Sequence, residues 1–187
     1  EWSPLWPGKA PGGADGVTLV ESTGEGGRIT DIAVPQYEVH LPDPGQRSGA
    51  AVVVLPGGGY TILAMDHEGR AYAEWLKRRG IVAVIAKYRV SAKDEAGYQF
   101  PVPLLDARRA IRLVRSKAAE WGVDPAKVNY IAHSGGGQAM ASILGGHVTV
   151  GVASVSEFEA QAKAGQLRYL AVSSPARLAG VEAPTLK

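Results

Sequence analysis

Two short stretches of this chain carry residue types that can do chemistry together. In "IAHSGGGQAM", residues 131 to 140, Ser134 follows a short apolar run and precedes glycines and a helix-forming segment. A serine on a sharp strand-to-helix turn exposes its hydroxyl as a nucleophile, and the amide of the next residue, Gly135, points at the same space. In "VVVLPGGGY" a glycine triplet, Gly57-Gly58-Gly59, directly follows a continuous apolar run. Backbone without side chains can present N–H groups to an oxyanion that develops during reaction. The amides of this triplet are therefore candidate oxyanion donors together with that of Gly135, and acyl transfer is the chemistry such a set serves. A second reading of 134 to 137 remains open, as a glycine-rich helix start whose free N–H groups attract a carboxylate without covalent chemistry.

A nucleophilic serine needs a base. His67, in "MDHEG", follows the glycine triplet and is the candidate, with Asp66 or Glu68 to orient it; its alternative role is packing or capping the next helix. His133 is disfavoured because adjacent side chains on a strand point to opposite faces. His40 reads as structural. After Ser134 the histidine is His147 and no aspartate follows, so a conventional nucleophile–acid–histidine order cannot be assembled from those residues. Asp106 and the pair Tyr88-Arg89 suit capping or ion-pair roles better than catalysis. "GGGY" lacks the Lys-Ser/Thr of a phosphate loop, and no His/Asp/Glu pair at helical spacing faces a common point, so no cofactor and no metal is expected.

The elements that must position these groups follow from periodicity. Residues 1 to 28 are rich in Gly and Pro and read as an arm laid over the body, anchored by Trp2 and Trp6. "ITDIAVP" and "YEVHL" alternate as strands, with Pro35 between them as in a hairpin. "AAVVVLP" and "IVAVIAKY" are apolar runs suited to strands buried on both faces. A helix is expected from about Glu68 to Arg79, stopped by Gly80. Leu104, Ala107, Ile111, Val114 and Ala118 form the apolar stripe of another, with Arg108, Arg109, Arg112 and Arg115 mostly on its solvated side. "VNYIAH" is a strand, "QAMASIL" a helix, "HVTVGVA" a strand, and Ser156 with Glu159 makes a capping box for a helix through Ala164. "LRYLAVSS" reads as the last strand. Alternating strand and helix from residue 50 onward implies an α/β fold, a three-layer αβα sandwich on a mostly parallel sheet, in one domain over 1–187.

Composition narrows the setting. A net charge of +2 over 187 residues gives no reason to invoke nucleic acid or an anionic membrane surface, and no apolar run approaches the roughly 18 residues of a membrane span. With no cysteine, disulfides and thiolate metal sites are excluded. A secreted or periplasmic location is expected, and a start at Glu1 rather than Met is compatible with removal of a leader or tag.

Much of the chain resembles a known family. "EWSPLWPGKAPG", "ITDIAVP", "VVVLPGGGYTILAMDHEGRAYAEWLKRRGIVAVIAKYRV" and "YQFPVPLLDARRAIRLVRSKAAEWGVDP" are similar to bacterial α/β-hydrolase esterases of the acetylxylan-esterase and feruloyl-esterase-like group, over residues 1 to about 127. The resemblance implies that Gly58 and Gly59 lie in the oxyanion loop and that the following strand brings the nucleophile. That family's nucleophile stretch reads Gly-Phe-Ser-Ala-Gly-Gly, whereas here Ala132 replaces the first glycine. Residues 128 to 187, including "SGGG" and "KAGQLRYLAVSSPARLAG", resemble instead a fragment of the substrate-binding proteins of tripartite tricarboxylate transporters. Together these imply a chimera, a truncated or hybrid α/β-hydrolase fold whose borrowed tail completes the sheet. The function expected is a weak serine carboxylesterase acting on short-chain or activated esters, its partner a small ester substrate, with a sheet edge that a second copy could cover to give a homodimer. A small-carboxylate binding module and an inactive hydrolase-like chimera are the competing readings.

Overall fold

The computed structural model describes residues 1–13, 16, 18–92, 98, 101–133, 155–170, 172 and 176–185. Two sheets organise them. The larger contains β1 (Ser3–Pro4), β4 (Gln36–His40), β5 (Ala51–Leu55), β7 (Val82–Lys87) and β8 (Val128–Ala132) in the order β1-β4-β7-β5-β8. The smaller contains β2 (Ser22–Gly24), β3 (Arg28–Thr30) and β6 (Ile62–Ala64) in the order β2-β3-β6.

β5 is the centre of the larger sheet because it is apolar throughout. Ala51, Val53 and Val54 are fully covered, and the strand pairs in parallel with β7 on one side and β8 on the other. β-branched residues buried on both faces are what a central parallel strand requires. Each fully buried valine or isoleucine there contributes about 1.5–3 kcal/mol. β4 and β1 continue the sheet beyond β7 in antiparallel fashion, so the sheet is mixed, with its parallel strands together at the β8 side. β8 pairs with β5 from Ala51–Val128 through Leu55–Ala132, which puts the carboxyl ends of the two strands level.

Between β5 and β7 lie a π-helical turn, Met65–Arg70, and α1 (Ala71–Lys77); between β7 and β8 lie α2 (Val102–Ser116) and α3 (Ala118–Trp121). The first crossover moves from β5 outward to β7, and the second moves back across β5 to β8. Right-handed crossovers in opposite directions place their helices on opposite faces of a sheet. α1 accordingly packs on β7, β5 and β4, while α2 packs on β5, β7 and β8. This is the α/β layering the sequence predicts. A further helix, α4 (Val155–Lys163), precedes Gly165, whose φ of 71° ends it.

A buried ion pair of the body binds the amino-terminal arm. Arg89, 2% exposed just beyond β7, donates through Nε to Asp106 Oδ2 (2.8 Å) and through Nη2 to Asp106 Oδ1 (2.9 Å). The Arg89 backbone N–H reaches Asp106 Oδ2 at 3.0 Å. The remaining guanidinium donors bind the carbonyls of Gly12 (3.1 Å) and Pro11 (2.8 Å), and Trp6 Nε1 donates to Asp106 Oδ1 (2.8 Å). Every charge removed from water there has hydrogen-bonded partners, which is the condition for tolerating it. The ion-pair role expected for Asp106 and Arg89 is the one observed.

Several expectations are corrected. β3 and β4 are not a hairpin across Pro35, because β3 pairs with β6 and β4 with β7. The helix expected from Glu68 starts earlier, as the π-helical turn at Met65. Leu104, assigned to the apolar stripe of α2, is 42% exposed, and the buried positions around it are Val102, Pro103 and Asp106. Ser156 lies inside α4, which begins at Val155, so it is not the N-cap; Glu159 pairs with Lys163 at 2.6 Å instead. In 167–174 the described residues form no strand, only a bridge from Val172 to Thr185. The expected helix "QAMASIL" and strand "HVTVGVA" lie outside the described residues.

Candidate functional site

The described site candidates, the glycine loop and His67, follow the end of β5, next to the end of β8. Beyond Leu55 the chain turns through Pro56 into Gly57-Gly58-Gly59-Tyr60, and beyond Ala132 it reaches His133, whose N–H donates to the Leu55 carbonyl at 3.0 Å. The carboxyl edge of parallel strands is where open α/β sheets hold ligands.

Gly57 is dictated by close approach. A β-carbon on it would stand 2.6 Å from the His133 carbonyl oxygen and 2.9 Å from its carbonyl carbon. The backbone of the glycine loop thus touches the peptide that leads into Ser134. Gly58 has φ 148° and packs so closely on Ile62 that no side chain fits. Gly59 at 63° and Tyr60 at 64° continue the left-handed run. A tyrosine in that region carries strain of order 1–3 kcal/mol, and the Tyr60 carbonyl is held by the Ser91 N–H at 3.2 Å.

The loop's amides are used unequally. The Gly57 N–H donates to Glu68 Oε2 at 2.8 Å. Among the described residues, the N–H groups of Gly58 and Gly59 donate to no carbonyl or side chain. Backbone amides without a protein acceptor can donate to an anion. The Tyr88 hydroxyl donates to the Pro56 carbonyl. Burial raises the pKa of Tyr88 well above the ordinary tyrosine value, with Tyr60 and Glu68 adding to the effect, so it stays a neutral donor.

His67 sits on the π-helical turn, its side chain 65% exposed, with Nε2 3.9 Å from Glu68 Oε1. At that distance the two groups are neighbours without a hydrogen bond. Asp66, the other residue expected to orient His67, bonds Arg70 Nη1 at 3.1 Å. The His133 ring instead meets Tyr72 of α1 edge-on, centroids 4.5 Å apart. Burial lowers its pKa below the ordinary 6.5, the Glu68 carboxylate opposing and His67 reinforcing the shift. Its ring is held toward the neutral form and packs on Tyr72. His40 bonds Glu74 through Nδ1 at 2.8 Å, a structural contact far along the chain from the glycine loop.

Ser134, Gly135 and His147 lie outside the described residues. What the structure brings together is Gly57 to Tyr60, His67, Glu68 and the His133 carbonyl. Glu68 and Tyr88 are the residues sequence reasoning missed in their observed roles. Glu68 stood only as an orienting group for His67, and nothing in local spacing ties it to an amide eleven positions earlier.

The chain is similar to several known proteins. The BD-FAE family profile matches residues 37–172, past the boundary near 128 expected from the tail's resemblance. An acetylxylan esterase from Xylanibacter ruminicola is 29% identical over 150 residues, covering 80% of this chain and 28% of that protein. Endo-1,4-beta-xylanase B from Butyrivibrio fibrisolvens is 29% identical over 92 residues, 49% of this chain and 14% of that one. The solved acetyl ester-xyloside bifunctional hydrolase from Caldicellulosiruptor lactoaceticus superposes with a TM-score of 0.58 at 30% identity, covering 79% of this chain and 47% of its own. The chain therefore spans less than half the length of each of these relatives.

Proposed function

Since the chain belongs to the BD-FAE family, we propose that it is a serine carboxylesterase acting on short-chain or activated acyl esters. The observation that carries this reading is the contact of Gly57 with the His133 carbonyl. It supports a reading in which the next two amides of the loop, Gly58 and Gly59, serve the reaction centre of Ser134.

In the proposed reaction Ser134 Oγ attacks the ester carbonyl carbon, and its proton passes to a base. The oxyanion takes hydrogen bonds from Gly58, Gly59 and Gly135. The alcohol leaves with a proton, and water then releases the acid from the acyl-serine. His67, on the turn that follows the loop, is the proposed base, with the Glu68 carboxylate beside it. A serine hydrolase deprived of triad members keeps about 10³–10⁴-fold acceleration over water from its oxyanion hole and binding, so weak turnover is expected without a conventional triad. The acetylxylan esterase relative suggests acetyl esters of polysaccharide as the natural class.

A separate ancestry for residues 128–187, proposed from sequence resemblance, leaves this reading intact. β8 belongs to that segment and pairs with β5 along its whole length. The test is hydrolysis of p-nitrophenyl acetate by the protein and by Ser134→Ala: loss of turnover in the variant supports the assignment, and unchanged turnover contradicts it.

A further inference from the structure

The carbonyl of Pro56 and the N–H of Gly57 are the two polar ends of one peptide unit. A different side chain grips each end: the Tyr88 hydroxyl donates to the Pro56 carbonyl, and Glu68 Oε2 accepts from the Gly57 N–H at 2.8 Å. The grips come from separate parts of the fold, Tyr88 from just beyond β7 and Glu68 from the π-helical turn. Such turns are rare and concentrate at functional sites.

We propose that Glu68 and Tyr88 act as positioning residues, clamping the Pro56–Gly57 peptide so that the next two amides keep one direction. This deepens the esterase reading and rests on it for its catalytic consequence. The peptide plane has two bonds holding its rotation, and the chain beyond it enters Gly58 and Gly59, whose φ values of 148° and 63° few other residues would hold. Glycine backbone is permissive, so without the clamp the peptide is free to turn and carry the downstream donors off target. Glu68 has a second oxygen directed toward His67 at 3.9 Å. One carboxylate thereby links the amide loop to the proposed base. Burial and then the Glu68 charge also raise the pKa of Tyr72.

The experiment compares Glu68→Ala, Glu68→Gln and Tyr88→Phe with the parent protein by two readouts. In 15N–1H spectra, Glu68→Ala should move the Gly57 amide proton upfield and speed its exchange, with the Gly58 and Gly59 amides shifting too, while remote Gly122 stays in place. In p-nitrophenyl acetate hydrolysis, Glu68→Ala and Tyr88→Phe should lower kcat about 10²-fold with KM nearly unchanged, since displaced oxyanion donors act on the transition state. Glu68→Gln, which keeps an acceptor oxygen, should recover most of that loss. Unmoved loop amides in Glu68→Ala would overturn the clamp whether or not the parent protein turns over ester. Moved amides with unchanged kcat would overturn its catalytic consequence. A parent protein with no esterase activity would overturn the esterase reading alone, and the amide shifts would then decide the clamp.

Discussion

The carbonyl oxygen of His133 lies so near Gly57 that a β-carbon at position 57 would stand 2.6 Å from it. Two strands that follow one another only after seventy residues thus end in direct backbone contact, and the peptide leading into Ser134 rests on the glycine loop. The contact is a consequence of register: Leu55 faces Ala132 in the parallel pair, so the next residues on each chain must share the space above the sheet.

Substituting Gly57 with alanine should therefore damage the site and the fold together. The obstructing atoms are backbone, which cannot rotate away, and overpacking of this kind costs about 1–3 kcal/mol. Urea denaturation should show that loss for Gly57→Ala. An unchanged midpoint would mean that the two strand ends are farther apart than described.

His67 is exposed, so its replacement should spare stability and strike activity. A positioned base contributes about 10²–10⁴-fold, and His67→Ala should lower kcat for p-nitrophenyl acetate by at least the smaller figure while the thermal midpoint stays put. Full activity in that variant would transfer the proton to another group.

The buried Arg89–Asp106 pair holds the amino-terminal arm, and removing one partner strands the other. Asp106→Ala should cost about 3–5 kcal/mol, since Arg89 loses its carboxylate while remaining 2% exposed, and Trp6 loses its acceptor. Chemical denaturation measures this directly, and tryptophan fluorescence should report release of Trp6 in the same variant.

His133 supplies a pH signature. Its pKa is lowered in the folded protein, chiefly by burial, with the Glu68 carboxylate opposing and His67 adding to the effect. The unfolded chain titrates near the ordinary 6.5, so below that value it binds more protons than the folded chain does. Stability then rises with pH through this window and falls as pH drops from 7 toward the folded value. The loss of urea midpoint between pH 7 and pH 5 should be smaller in His133→Gln than in the parent protein. Equal losses would remove His133 as its source.

The legible parts of the fold were those fixed by local pattern. Val52 to Leu55 and Val82 to Ala86 are continuous apolar runs, and such runs leave a parallel sheet little choice of centre. Pairing partners were less visible. Pro35 looked like a hairpin turn, yet β3 finds β6 and β4 finds β7, because partner choice depends on tertiary packing that no short window contains. Leu104 followed the helical stripe, but the buried carboxylate of Asp106 claims the inner face of that turn for an ion pair with Arg89. The glycine loop could be read from composition alone. The grip of Glu68 on Gly57 could not, since a π-helical turn shifts side chains out of the ordinary helical register.

The central claim is that Ser134 is an activated nucleophile served by the glycine-loop amides, and covalent labelling tests it most directly. After treatment with an organophosphate ester and trypsin digestion, mass spectrometry should find one adduct on the peptide between Lys127 and Lys163, localised to Ser134. An unmodified Ser134 under conditions that fully label a serine esterase control would contradict the account.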